Sequence, residues 1–261
     1  MKVRKMCLVL AVLMLASAFA AGCGQSAAEP AVSPAAAEET TPSPEPTAQA
    51  EEKKELPPPP DIDIDSWEYL YAGVVCGVSR YHPSVRSIED QLLDSRMTSA
   101  TQAFLDAARA EGYKVWIGVG YRNFEYTSFW FEDAMNDYGG SYEAAQVDYI
   151  FPAGCTEHST GLAIDITDEF DLAANYYNMH DETVKDTEVY KWMAEHCAEY
   201  GFIVRYPEGK EDYYVKACYP GHFRYVGVEA AKYIMENDLC FEEFLNLYPE
   251  KKLHVTFGPE A

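Results

Sequence analysis

Residues 162–166 read Leu-Ala-Ile-Asp-Ile, an apolar run of strand length interrupted by one carboxylate, Asp165. An ionised carboxylate inside a hydrophobic layer is costly unless something compensates it. Any fold for this chain must therefore turn Asp165 to water or bring it a partner worth its lost hydration. The segment before it, 151–161, is punctuated as a loop by Pro152, Gly154 and Gly161, and it presents His158 at the mouth of the strand.

Around this strand the pattern alternates between two periods. Ala100, Ala103, Phe104, Ala107 and Ala108 recur at helical spacing, with Thr98 or Ser99 available as cap and Gly112 as stop. A strand within 113–120 follows and delivers Tyr121-Arg122-Asn123 to a loop. Helices are expected over 124–137 and, shorter, over 142–148. Val189, Trp192, Met193, Cys197 and Tyr200 mark a further helical stripe, ended by Gly201, which makes Cys197 a core thiol. Residues 202–206 and 222–226 read as strands, 227–237 as a helix and 253–257 as a last strand, whereas 66–90 is Tyr-rich and irregular. The joins between 202 and 226 have hairpin character. That pattern predicts an α+β domain with a central antiparallel sheet rather than a parallel αβ design.

The ends of the sequence are different in kind. Lys2, Arg4 and Lys5 precede an apolar stretch from Leu8 to Ala21, too short for a membrane span and suited to export, so 1–22 reads as a signal peptide. "AFAAGC" resembles a bacterial lipoprotein signal ending in a lipidated Cys23, with Ala20 where a larger aliphatic residue is usual. Residues 23–60 are mostly Ala, Pro, Glu, Thr and Ser with almost nothing large and apolar, ending in four prolines, and cannot bury enough surface to offset their ordering entropy. They read as a tether, leaving 61–261 as the folded domain, expected to act as a monomer. The resulting expectation is an exported protein, lipid-anchored on the outer face of the bacterial cytoplasmic membrane. A net charge of −23 excludes a nucleic-acid binder, since no basic footprint exists to neutralise phosphates. Beyond Cys23 stand Cys76, Cys155, Cys197, Cys218 and Cys240, an odd set. Cys155 and Cys218 each lie just before a histidine of interest and become neighbours if those histidines converge; a disulfide there and two small apolar fillers are both open.

Of six histidines, His158 and His222 stand out because each opens a predicted strand after a Gly- or Pro-containing loop. Two imidazoles and one carboxylate with a fourth position open to water form the usual catalytic zinc shell. On residue types alone, a solvated Asp165 with two structural histidines stands beside that reading. His196 sits near the apolar edge of a helix and fits a satisfied core histidine; His82, His180 and His254 fit solvated positions.

"TEHSTGLAID" (156–165) resembles the Ser-x-His-x-x-Gly-x-Ala-x-Asp signature of the VanY-type D-alanyl-D-alanine carboxypeptidases, and "GVGYRN" (118–123), "WMAEHCAEYGFIVRYPEGKE" (192–211) and "PGHFRYVG" (220–227) follow that family's order. The resemblance implies a hedgehog/DD-peptidase-like fold and one zinc ion. It implies removal of the terminal D-alanine from peptidoglycan stem peptides. Carried over by position, His158, Asp165 and His222 are the metal ligands, Arg122 stabilises an oxyanion or holds the substrate carboxylate, and Thr156 keeps the hydroxyl of the family's serine for substrate contact. The sequence departs from the pattern at three places. Tyr219 stands where the family has its general-base glutamate, Gly221 replaces a tryptophan, and Thr127 replaces a glutamine. A phenol, with an ordinary pKa of about 10, is a poor base at neutral pH, and loss of a positioned base typically costs about 10²–10⁴ in rate. Glu208, Glu211 and Asp212 are close enough in sequence to reach inward, while Glu157, as the direct neighbour of a ligand, is expected to point away. The sequence thus supports a zinc carboxypeptidase, or a homologue in which zinc and Arg122 hold cell-wall peptides with turnover impaired by Tyr219.

Overall fold

The computed structural model describes residues 55–73, 78, 81–141, 151–167, 182–214 and 219–250, all within the compact unit Lys53–Ala261. The signal segment, most of the tether, the expected helix at 142–148, the expected strand at 253–257, Cys76, Cys218, His180 and His254 lie outside the described residues.

Period-two alternation builds the centre. Strands β3 (Trp116–Val119), β4 (Ala163–Thr167), β5 (Phe202–Val204) and β6 (His222–Tyr225) form one sheet in the order β3-β4-β6-β5, every neighbouring pair antiparallel. Successive side chains alternate between faces. One face carries Ile164, Ile166, Phe202, Val204 and Phe223, which join a buried cluster with Phe104 and Leu105 of helix α1 (Thr98–Ala110) and Met193 of helix α3 (Glu188–His196). The opposite face carries Ala163 and Asp165 of β4 beside Arg224 and His222 of β6, paired across the strands in that order. A second apolar cluster backs this side, in which Ile203 and Val226 meet helix α4 (Val228–Glu236) and helix α5 (Phe241–Asn246). All five residues of β4 are buried because both faces are covered. The α+β expectation with a small antiparallel sheet holds, and Cys197 is a buried free thiol as expected.

Helix α2 spans Phe124–Asp137, the expected range, and Asn123 caps it by accepting from the Tyr126 N–H at 2.7 Å. Thr98, expected as a cap, instead lies inside α1 and donates to Ser95 O at 3.0 Å. The stripe ended by Gly201 is α3 followed by a tighter 3-10 turn over Cys197–Tyr200, with Gly201 at φ 82°. Two elements were not expected. At the end of the segment read as irregular and just beyond it, β1 (Val85–Ile88) and β2 (Gln91–Asp94) form an antiparallel hairpin. Glu89 and Asp90 both take positive φ at its tip, the turn geometry that matches strand twist. Helix α5 is the other, its start capped reciprocally by Cys240 and Glu243. Residues 57 and 60, assigned to the tether by composition, are held by the domain: Tyr233 Oη donates to Pro57 O at 2.6 Å and Tyr248 Oη to Pro60 O at 2.8 Å.

Phe104 is fully buried and packs against Tyr200, Phe202 and Phe223 at centroid distances of 5.3, 5.4 and 5.8 Å. Phe104→Ala is expected to cost about 3–5 kcal/mol through lost contacts and a residual cavity, read as a lower urea midpoint at unchanged slope; a loss under about 1 kcal/mol would show that this cluster does not hold the helices on the sheet.

Candidate metal centre and peptide site

The register of β4 against β6 sets Asp165 directly opposite His222. His222 Nδ1 lies 2.7 Å from Asp165 Oδ1. The third group comes from the turn before β4. Residues Glu157–Thr160 form one 3-10 turn closed by Gly161 at φ 73°. A Cβ at Gly161 would approach the Asp94 backbone N to 3.0 Å, so only glycine lets this turn lie on the β2 end. The turn places His158 Nε2 3.1 Å from Asp165 Oδ2. The two imidazoles stand edge to face, 5.0 Å apart at 84°. His158, Asp165 and His222 are 5%, 1% and 3% exposed. Asp165 does have partners worth its burial.

Among the described residues these three alone gather as a possible metal-holding group, with one ligand atom from each lying within 4.8 Å of the others. Zinc bonds of about 2.0–2.1 Å in tetrahedral arrangement put ligand atoms about 3.3 Å apart. The His158 Nε2–Asp165 Oδ2 separation of 3.1 Å is close to that spacing, the His222 Nδ1–Asp165 Oδ1 separation of 2.7 Å is a direct hydrogen-bond distance that a metal would widen, and the donor set of two nitrogens and one oxygen suits zinc. Burial works to raise the Asp165 pKa, but His158 and His222 outweigh it and hold the carboxyl well below its ordinary range. Burial lowers His158 against the pull of Asp165. At His222 burial is outweighed by Asp165 and Glu157, and the ring is raised.

Arg122 arrives on the segment after β3. Gly120 makes this possible, since a Cβ there would meet Leu92 O at 2.5 Å. Tyr121 N–H then donates to Leu92 O at 2.6 Å and Arg122 N–H to His158 O at 3.0 Å, tying the arginine's backbone to that of a metal ligand. Its guanidinium lies 5.7 Å from the Trp130 ring centre. Arg122, Thr156, His158, Asp165, Tyr219 and His222 line one concavity, walled also by Trp130, Phe151 and Tyr206. The structure thus brings together every site residue expected from the sequence. Tyr219 stacks parallel to Tyr206 at 6.4 Å and lies 5.3 Å from the His222 ring, so a phenol does occupy the wall beside the ligands.

Glu157 overturns its expectation. It is 2% exposed, lines the same concavity, and faces inward because a 3-10 turn, unlike a strand, need not send neighbours to opposite sides. Arg205 Nε and Arg224 Nη1 donate to its Oε1 at 2.8 and 2.9 Å, and its Oε2 lies 3.4 Å from His222 Nε2. Burial alone would raise this carboxyl, but Arg205 and Arg224 outweigh it and hold it far below the ordinary range. A carboxylate so committed is a poor proton acceptor. Glu208, Glu211 and Asp212 do not line the concavity. Glu208 pairs with Lys185, Glu211 accepts from the Gly209 N–H, and Asp212 is exposed. Thr127 is turned to Asn123 O at 2.9 Å. His196 departs from a core position: it is half-buried, stacked on Trp192 at 4.4 Å and paired with Glu199 at 2.8 Å. His82 is exposed as expected. Cys155 is disulfide-bonded rather than a free apolar filler, and Cys218, the partner considered for it, lies outside the described residues.

Residues 90–228 match the protein-family profile described as VanY, D-alanyl-D-alanine carboxypeptidase. A D-alanyl-D-alanine carboxypeptidase of Enterococcus faecalis (strain ATCC 700802 / V583) is 34% identical over 160 residues, 59% of this chain and 56% of that protein. The chain spans just 55% and 56% of the length of the first curated relatives it matches. Among solved structures, a zinc-bound variant of the vancomycin resistance D,D-pentapeptidase VanY is 29% identical with a TM-score of 0.56, covering 69% of this chain and 100% of that one. The LD-carboxypeptidase LdcB is 31% identical with a TM-score of 0.55, covering 64% and 80%.

His158→Ala, Asp165→Ala and His222→Ala are each expected to abolish stoichiometric zinc uptake, measured by elemental analysis after dialysis, whereas His82→Ala and His196→Ala retain it; retention by the first three would remove the ligand assignment. A second expectation concerns acid. Carboxyls held below their unfolded values of 4.5 (Glu157) and 3.8 (Asp165) contribute stability that is complete above those values and lost as pH falls. The thermal midpoint of metal-free protein should therefore drop between roughly pH 5 and 3; a flat profile there would contradict the buried ion pairs.

Proposed function

The chain belongs to the VanY family of D-alanyl-D-alanine carboxypeptidases, and on that premise we propose that it is a zinc carboxypeptidase removing the terminal D-alanine of peptidoglycan stem peptides. The observation that carries this reading is the convergence of His158, Asp165 and His222 with Arg122 in one concavity. When bound, zinc supplies a Lewis acid for the scissile carbonyl and lowers the pKa of a water to near neutrality. Arg122 receives the peptide's terminal carboxylate through its forked donors. The Thr156 hydroxyl contacts the peptide backbone. Tyr219 donates its phenolic proton towards the carbonyl oxygen as negative charge develops there. Trp130, Phe151 and Tyr206 exclude water from the peptide end.

Turnover is slow in this reading. The residue at the family's base position is a phenol, and Glu157, the nearest other carboxylate lining the concavity apart from Asp165, is committed to two arginines. That same observation supports a second reading, in which the site binds cell-wall peptides without cleaving them. The remaining context is also proposed: export, a lipidated Cys23 holding the chain on the outer face of the cytoplasmic membrane, and action as a monomer.

With zinc and a peptide ending in D-Ala-D-Ala, the wild-type protein is expected to release D-alanine slowly, a chelator to stop it, and Tyr219→Glu to raise kcat by about 10²–10⁴. Release by Tyr219→Glu alone, with none from the wild type, would favour the binding reading over the enzyme.

A further inference from the structure

Arg205 and Arg224 are both fully buried, as is Glu242, and none of them lines the concavity. Their arrangement around Glu157 divides that carboxylate's two oxygens between two tasks. Oε1 takes both arginines, while Oε2 is left to the Nε2 edge of His222. Arg205 is itself fixed by a fork on Glu242, donating from Nη1 and Nη2 at 2.8 and 2.6 Å. Arg224 is fixed by the backbone carbonyls of Glu68 and Leu70 at 2.9 and 2.7 Å.

We infer that Glu157 is a positioning residue for the metal centre, acting through His222. A neutral imidazole carries one ring proton. For Nδ1, which faces Asp165, to bind a metal, that proton must sit on Nε2, where an ionised carboxylate can only accept it. Arg205 and Arg224 hold the Glu157 carboxylate in place, so the ring plane is set before metal arrives, and when Nδ1 gives up its proton to a metal the one on Nε2 is retained by its acceptor. Such an outer partner raises the ligand's basicity and reduces the reorganisation on binding. The effect is confined to one ligand, because His158 Nδ1 meets no hydrogen-bond partner among the described residues. The inference rests on the zinc reading above and adds to it a residue that sequence similarity to the ligand set does not assign.

The test compares zinc dissociation constants, by chelator competition, of the full chain and of Glu157→Gln and Glu242→Gln. Both substitutions remove one buried negative charge beside Arg205, but only the first removes the acceptor at His222. Glu157→Gln is expected to weaken zinc binding roughly 10- to 100-fold, and Glu242→Gln to leave it within about twofold. Equal weakening by the two, or none from Glu157→Gln, would overturn the inference and leave Glu157 a purely structural group. Should Glu157→Gln fail to fold, ring-nitrogen NMR on the zinc-loaded wild type decides: the proton is expected on His222 Nε2, shifted downfield by its hydrogen bond to the carboxylate. Metal on Nε2, or an Nε2 proton with no such shift, would contradict it. A wild type that takes up no zinc would overturn both this inference and the zinc reading, whereas an unchanged Glu157→Gln affinity overturns the inference alone.

Discussion

The pairing of Asp165 with His222 across β4 and β6 is the interaction on which the rest depends. A sheet with apolar side chains on both faces would be simpler to stabilise, and this one places a carboxylate and an imidazole opposite each other at its centre. Burial makes that pair costly unless each group is further compensated. Compensation comes from His158 on one side and from Glu157 on the other, so the turn before β4 is fixed by the charges it serves.

The charges extend outward in a chain. Asp165 meets both histidines, His222 meets Glu157, Glu157 meets Arg205 and Arg224, and Arg205 meets Glu242 of α5. The Tyr71 hydroxyl donates to Glu242 at 3.2 Å, closing the chain onto a segment near the start of the domain. Alternating signs leave each buried charge beside an opposite one. Helix α5 and residues 68–71 are therefore joined to the ligands by a continuous line of buried contacts, although neither lines the concavity.

Much of this was legible from the residues. Asp165 in an apolar run had to meet either water or a partner, and two histidines stood at strand mouths to serve as one. The helix expected over 124–137 is found at that range. The β1–β2 hairpin was not legible, because its strands are four residues each and three of the four β1 side chains are exposed, which erases the alternation. Helix α5 is six residues long with a cysteine cap, below what periodicity resolves. Glu157 was misjudged by applying strand geometry to a residue in a 3-10 turn. Arg205 and Arg224 read as ordinary strand residues, since their burial depends on Glu242 and Glu157, which lie far away in sequence.

What separates this site from the pattern it resembles is the ring of Tyr219, which lies beside both Tyr206 and His222 where a carboxylate is usual. That change alters the proton-accepting capacity of the wall without disturbing the ligand set. The central claim is the ligand set itself, and zinc-edge X-ray absorption on the full chain tests it most directly. A single zinc in a shell of two imidazole nitrogens and carboxylate or water oxygens, lost together with the imidazole scattering in His222→Ala, is the predicted result. A sulfur-containing shell, or a shell unchanged by that substitution, would contradict it.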